Sequence, residues 1–341
     1  MINAQKKITS QDIADELGIS RSVVSFVLNG KNKEMRISDE LTQKVLTLVE
    51  NRNYQANQLA RSLKTGKTFI IGLIVADISN PFFANIAREV ELELSKYGYD
   101  VVFCSSDENK TKFKVQIENF IHRQVDGLIL IPPVNSFDVL SVLNSQNIPF
   151  VIIDRDFTDK NINSVNINNH KAAYDATNRL INNDRKRVGI INVNNELLTM
   201  AERTAGYIEA LNDNGIKINS ELIKHLKFSK VSKHVYKAVE DLITNNVDAI
   251  IFTTNKLGVF GIQAIREMDK KIPEDIAVIS FDDSEVYATA FTSITAVKQP
   301  LKQMSKESVR IILKAINSNN LKFDYEQIAL DVSFIVRESC P

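Results

Sequence analysis

Short apolar runs that alternate with helix-length amphipathic segments set the tightest limit on how this chain can fold. Phe69–Val75, Val101–Cys104, Gly127–Ile131 and Phe150–Ile153 read as strands, and Pro81–Tyr97, Lys112–Arg123 and Phe137–Gln146 between them read as helices. The pattern then restarts. Helices over Lys171–Asn182, Met200–Asn214, Lys233–Thr244 and Leu257–Met268 interleave with strands over Val188–Val193, Ala249–Phe252 and Ala277–Phe281. Strands that are apolar throughout, rather than at alternate positions, are buried on both faces, and helices between them supply the crossovers. The pattern therefore predicts two similar α/β halves with parallel sheets. A last helix over Leu301–Ile316 and a strand over Ile328–Val336 are too small to form a domain of their own.

Ahead of the first strand, Ile8–Leu63 follows a helical period. Thr9 precedes Ile13, Ala14 and Leu17, which share one helical face, and Asp12 stands three residues after Thr9 in the capping-box place. Gly18 accepts the left-handed conformation that ends a helix. Ser20 then caps a short second helix, Arg21–Leu28, closed by Asn29-Gly30. Val24, Val27 and Leu28 face inward, which turns Arg21, Ser22 and Phe26 outward. Ser38 caps a third helix over Asp39–Asn51. Two short helices joined by a Gly-containing turn form a helix-turn-helix, a DNA reader; the alternative is a plain three-helix bundle that binds protein. Charge separates the two. Residues 1–67 hold 11 Lys/Arg against 7 Asp/Glu, a net +4, and the rest of this electrically neutral chain carries the compensating −4. A basic head on an acidic body suits a phosphate partner.

Other classes fall away on what their chemistry requires. His122, His170, His225 and His234 lack metal-ligand spacing, and GxSxG, HExxH and GxGxxG are all missing, so neither catalysis nor a cofactor is expected. Gly66-Lys67-Thr68 resembles the end of a phosphate loop, but Arg61 stands where its first Gly belongs. No stretch is long and apolar enough for a bilayer, and the N-terminus has no apolar signal core. The two cysteines, Cys104 in an apolar strand and Cys340 beside the C-terminus, do not make a disulfide framework. These features predict a cytoplasmic location and no membrane partner. A periplasmic solute-binding protein would share the two halves, yet would carry a signal peptide and no head. The expectation is a ligand-controlled transcription regulator; the alternative is a solute-binding-like sensor that acts mainly through a protein partner.

ITSQDIADELGISRSVVSFVLNG, NQLARSLKTGKT, IGLIVADISNPFF, VDGLIL and the closing VRES, in that order, resemble the lactose/galactose-repressor (LacI/GalR) family over essentially the whole chain. The resemblance implies an all-α helix-turn-helix head over 1–56 and a hinge helix with linker over 57–68. It also implies a two-lobed sensor like the periplasmic binding proteins. The first lobe would come from 69–168 and 299–325, the second from 169–298 and 326–341, with the last helix returning to the first lobe and the last strand to the second. On the head it puts Arg21, Ser22 and Phe26 at base-reading positions, with Thr9, Ser20, Ser25 and Asn29 in the same DNA-facing set. On the hinge it implies Asn57, Ala60, Arg61 and Leu63, with Leu63 as a minor-groove wedge. Phe26 departs from the Arg or His usual there, and Ala56 from a usual Pro. Phe cannot hydrogen-bond a base; it packs on a thymine methyl or fills the core.

Ligands of open parallel sheets bind beyond the carboxyl ends of the strands. The residues there are Asp77–Phe83, Asp154-Arg155, Asn192–Thr199, Asn255-Lys256 and Asp282-Asp283. Carboxylates, amides and guanidinium groups suit sugar hydroxyls, and aromatic faces suit the ring. The resemblance narrows the effector set to Phe82, Phe83, Asp154, Arg203, Asn255 and Asp282, with Thr199 beside them. Phe82 and Phe83 line the pocket or fill the core; Arg203 and Asp282 hold ligand oxygens or form an interlobe salt bridge. Lys256 replaces the Asp that usually follows the family's Asn. With Arg155 it receives a phosphate or carboxylate, or it is simply a solvated side chain at a helix start. The implied partners are a double-stranded DNA operator, bound as a homodimer, and a sugar, sugar phosphate or sugar acid as effector. Because the sequence ends soon after its last strand, a dimer without a tetramerising helix is expected.

Overall fold

Thr9 opens the first helix as the capping pattern requires. Its Oγ1 accepts from the Asp12 N–H at 3.2 Å, and its own N–H donates to Asp12 Oδ2 at 2.7 Å. The structure, a computed structural model, describes residues 8–28, 30–52, 54, 62, 65–156, 161–193, 196–227, 231–318 and 325–341. The chain divides into two units, Met1–Thr68 and Phe69–Pro341.

The first unit holds α1 (Ser10–Leu17), α2 (Arg21–Leu28) and α3 (Asp39–Asn51). Gly18 ends α1 at φ 63, where a Cβ would be strained. Ser20 Oγ accepts from the Val23 N–H at 3.4 Å, and Ser38 Oγ from the Leu41 N–H at 3.2 Å, so each expected cap forms. Ile13, Ala14, Val24, Val27 and Val45 make the core, rimmed by Leu17, Ile19, Leu28, Leu41, Leu48 and Val49.

The second unit begins with β1 (Ile70–Val75), α4 (Pro81–Ser95), β2 (Asp100–Ser105), α5 (Lys110–His122), β3 (Gly127–Leu130), α6 (Phe137–Ser145), β4 (Phe150–Ile153) and β5 (Ser164–Ile167). It continues with α7 (Asn169–Asn182), β6 (Val188–Val193), α8 (Leu198–Asp213), β7 (Ile223–Leu226), α9 (Val231–Thr244), β8 (Ala249–Phe252), α10 (Asn255–Glu267), β9 (Ala277–Phe281) and α11 (Glu285–Thr289). The last elements are β10 (Thr295–Lys298), α12 (Leu301–Asn317), β11 (Gln327–Leu330) and β12 (Ser333–Ile335). Two six-stranded sheets result, ordered β11-β5-β4-β3-β1-β2 and β12-β10-β9-β8-β6-β7. We call them the first and second lobes. The pairs are parallel except β10 with β12. Every residue of β3, β4, β8 and β9 is buried, as their apolar runs require, with Ser280 of β9 the one hydroxyl among them.

Two features differ from expectation. The tail read as one strand over 328–336 is two. β11 pairs with β5 in the first lobe, and β12 pairs with β10 in the second. Asp331 and Val332 are the step between sheets, so the strand assigned to the second lobe belongs there only in its latter part. β5, β7 and β10 are additional; each spans four residues and carries polar side chains that interrupt an apolar pattern. The last helix does return to the first lobe, where α12 packs on α4, β3, β4 and β5. The chain thus crosses between lobes three times, after β5, after β10 and after β11.

Candidate functional site

On the first unit, α2 buries Val24 and Val27 and leaves Arg21 and Ser22 exposed. Arg21 Nε donates to Ser10 Oγ at 3.0 Å, which anchors the base of the side chain. Phe26 and Ser25 are half-buried, and Phe26 stands outside the head core. Thr9 and Ser20 are exposed caps. Asn29, Asn57, Ala60, Arg61 and Leu63 lie outside the described residues, as does the hinge expected over 57–64 apart from Ser62.

In the second unit, the carboxyl ends of both sheets supply one buried polar cluster. Asp154 follows β4 directly and lies 3.7 Å from Arg155 Nε. Burial pushes its carboxyl up to about 7, against the pull of Arg155 and Arg203. Arg155 Nη2 donates to Glu108 Oε1 at 2.6 Å, while its Nε and Nη1 and the second oxygen of Glu108 have no hydrogen-bond partner. From the second lobe, Thr199 and Arg203 sit one turn apart on α8, both buried. Arg203 Nε donates to Asn169 Oδ1 at 2.8 Å, its Nη1 donates to the Thr253 carbonyl, and its guanidinium lies 4.2 Å from the centre of the Phe281 ring. Asp282 follows β9; its oxygens accept from Gln299 Nε2 at 2.7 Å and from the Asn255 N–H at 3.3 Å. Burial raises this carboxyl too, and Arg203 opposes the rise. Arg203 and Asp282 both belong to the second lobe, so they make no interlobe pair with each other; across the cleft Arg203 attracts Asp154 of the first lobe.

Two pairs of polar side chains meet across the cleft. Asn80 caps α4 by accepting from the Phe82 N–H at 3.0 Å. Its amide also exchanges hydrogen bonds with that of Asn255, at 2.7 and 3.3 Å. Beside it, exposed Lys256 Nζ stands 4.0 Å from Oδ2 of half-buried Asp77. Lys256 is therefore a cleft-edge residue, distant in role from Arg155. Asn255 is fixed from behind, since Tyr287 Oη donates to its carbonyl at 3.0 Å and shares a 2.7 Å bond with Ser280 Oγ. Gly258 makes room for that pair, because a Cβ there would meet Tyr287 Oη at 2.1 Å.

A cavity of about 360 Å³ opens beside the cluster, between Pro132–Asn135, Phe137, Arg155 and Asp156 of the first lobe and Glu196–Thr199 with Ala201 of the second. Of the expected effector residues, Arg155 and Thr199 line it. Asp154, Arg203, Asn255 and Asp282 do not line it; they connect to Arg155 through the charge interactions of Asp154 and Arg203 and the bond of Asn255 to Asp282. Phe82 and Phe83 pack edge to face, 5.1 Å between centres, within the apolar core. Sequence reasoning missed Glu108, Pro132 and Pro133. They follow β2 and β3, two strand ends left out when the others were inspected, and the same topological rule finds them. The arrangement offers fixed donors and acceptors for polar oxygens. Among the described residues no cluster of His, Cys, Asp or Glu could hold a metal ion, and no helix is long and apolar enough to cross a membrane.

Comparison with known proteins bears on both units. Residues 9–57 match the bacterial regulatory proteins, lacI family. Residues 68–332 match the periplasmic binding proteins and sugar binding domain of LacI family. The HTH-type transcriptional regulator RegA of Clostridium saccharobutylicum is 30% identical over 332 residues, 96% of this chain and 98% of that protein. The ribose operon repressor of Haemophilus influenzae is 29% identical over 97% of this chain and 98% of its own length. The lac repressor dimer bound to operator and the anti-inducer ONPF shares the fold, with a TM-score of 0.83 at 20% identity over 98% of this chain and 99% of that one.

Proposed function

The chain belongs to the LacI family of bacterial regulatory proteins, and from that premise we propose that it is a transcription regulator, with an operator-reading head and an effector-binding sensor. The head reads a near-palindromic operator as part of a dimer, each copy laying α2 in a major groove. Arg21 and Ser22 reach base edges, and Phe26 packs on a thymine methyl. Asn57, Ala60, Arg61 and Leu63 continue the contact along the minor groove. The sensor takes a small sugar-like effector at the cleft between its lobes and biases the head by preferring one lobe arrangement. The role is binding rather than catalysis, in the cytoplasm of a bacterium, and the effector controls genes of carbohydrate use.

The observation that carries this reading is a shared design within one chain. A basic head exposes one face of α2, and a sensor gathers buried Arg155, Arg203 and Asp282 with half-buried Asp154 beside a cavity bounded by both lobes. Operator sites selected by the full-length chain from random DNA test it. Arg21→Ala should weaken the selected site by about 1–3 kcal/mol while leaving random DNA nearly unchanged. An equal loss on both would reduce Arg21 to a phosphate contact, and failure to select any site would remove the head assignment.

A further inference from the structure

Which effectors the cleft admits is written in the partner of one buried arginine. Arg155 is 5% exposed and lines the cavity. One of its terminal nitrogens is bound by Glu108 at 2.6 Å; its Nε and its other terminal nitrogen have no hydrogen-bond partner, and neither does Glu108 Oε2. A buried guanidinium and a half-buried carboxylate, each with unused capacity, seek a group that both accepts and donates. A hydroxyl pair does this, with one oxygen accepting from Arg155 and one O–H donating to Glu108.

Charge points the same way. Arg155 and Arg203 face Glu108, Asp154 and Asp282, and the cavity wall adds Asp156 and Glu196. A phosphate or carboxylate accepting from the unused Nε or Nη1 of Arg155 would sit against the Glu108 carboxylate and among further carboxyl groups. Lys256, the cation that sequence reasoning offered such a ligand, stands exposed at the cleft edge beside Asp77. Resting on the sensor reading above, we infer that the site selects an uncharged polyol, gripped jointly by Arg155 and Glu108, and that Glu108 is the residue that turns away phosphorylated and acidic sugars.

The test is calorimetric titration of the full-length chain with matched probes: ribose against ribose 5-phosphate, and glucose against glucose 6-phosphate, gluconate and glucosamine. The expected result is at least about tenfold tighter binding of the neutral member in the pair that binds. Glu108→Gln, which keeps shape and removes the charge, should shrink that preference by about tenfold or reverse it, in protein that still unfolds cooperatively. Tighter binding of a phosphate, an acid or glucosamine by the unaltered chain would overturn the inference and leave the sensor standing. An unchanged preference in Glu108→Gln would overturn the role of Glu108. Binding of none of the probes would count against the sensor reading, and the inference would fall with it.

Discussion

Asp154 is a largely desolvated carboxyl beside Arg155 of the cavity wall, acted on by two guanidinium groups and two other carboxyls. Its folded-state pKa, about 7, lies well above the ordinary 3.8. The fold therefore binds a proton that the unfolded chain releases between about pH 4 and pH 7, and stability falls as pH rises through that window before levelling off. Asp154→Asn removes the proton. Unfolding temperatures measured from pH 5 to pH 8 should fall less steeply for the variant than for the unaltered chain; parallel curves would show that Asp154 is ionised throughout. At this scale the sequence was partly legible. Asp154, Asn255 and Asp282 were found because each sits where a strand ends. Lys256 was recognised as an oddity, but its partner Asp77 was not, and Asn80 and Asn255 pair although 175 residues apart. Nothing local announces a contact between two lobes.

At the scale of elements, side chains that end helices were the most readable signal, because the bond they make spans only a few residues. Thr9, Ser20 and Ser38 all cap as their spacing requires. Thr9→Ala should destabilise α1 by about 1 kcal/mol. Hydrogen exchange of the full-length chain should then show the α1 amides opening about fivefold faster, while those of β3 and β8 keep their rate. No change in α1 would mean that its packing on α2 and α3 alone fixes the first turn. Strands were legible only where burial on both faces makes the whole run apolar. β5 contains Asn166, and β7 contains Lys224 and His225, so their identity depends on the neighbouring strands that accept their hydrogen bonds. The edge position of β2 leaves Val102 and Phe103 exposed, which its apolar sequence did not announce.

At the scale of the molecule, sequence order and lobe membership part company. β11 completes the first sheet although the whole of the second lobe, β12 apart, precedes it. This constrains how such a protein can be inherited. The head joins the sensor at one boundary in the chain, Thr68–Phe69, so a single recombination can give an old sensor a new operator. No single exchange can transfer a lobe. A junction after β5 would set a foreign α12 and β11 against native α4 and β5, mixing parents within one core. Single-junction chimeras at residue 168 with a relative about 30% identical should unfold several degrees below both parents, whereas chimeras that also carry residues 299–330 with the first lobe should recover. Equal melting of the two designs would show that these interfaces are interchangeable. If they are not, new pairings of operator and effector come to this lineage by shuffling at that one junction, while a new cleft within one sensor must come by substitution, one wall residue at a time.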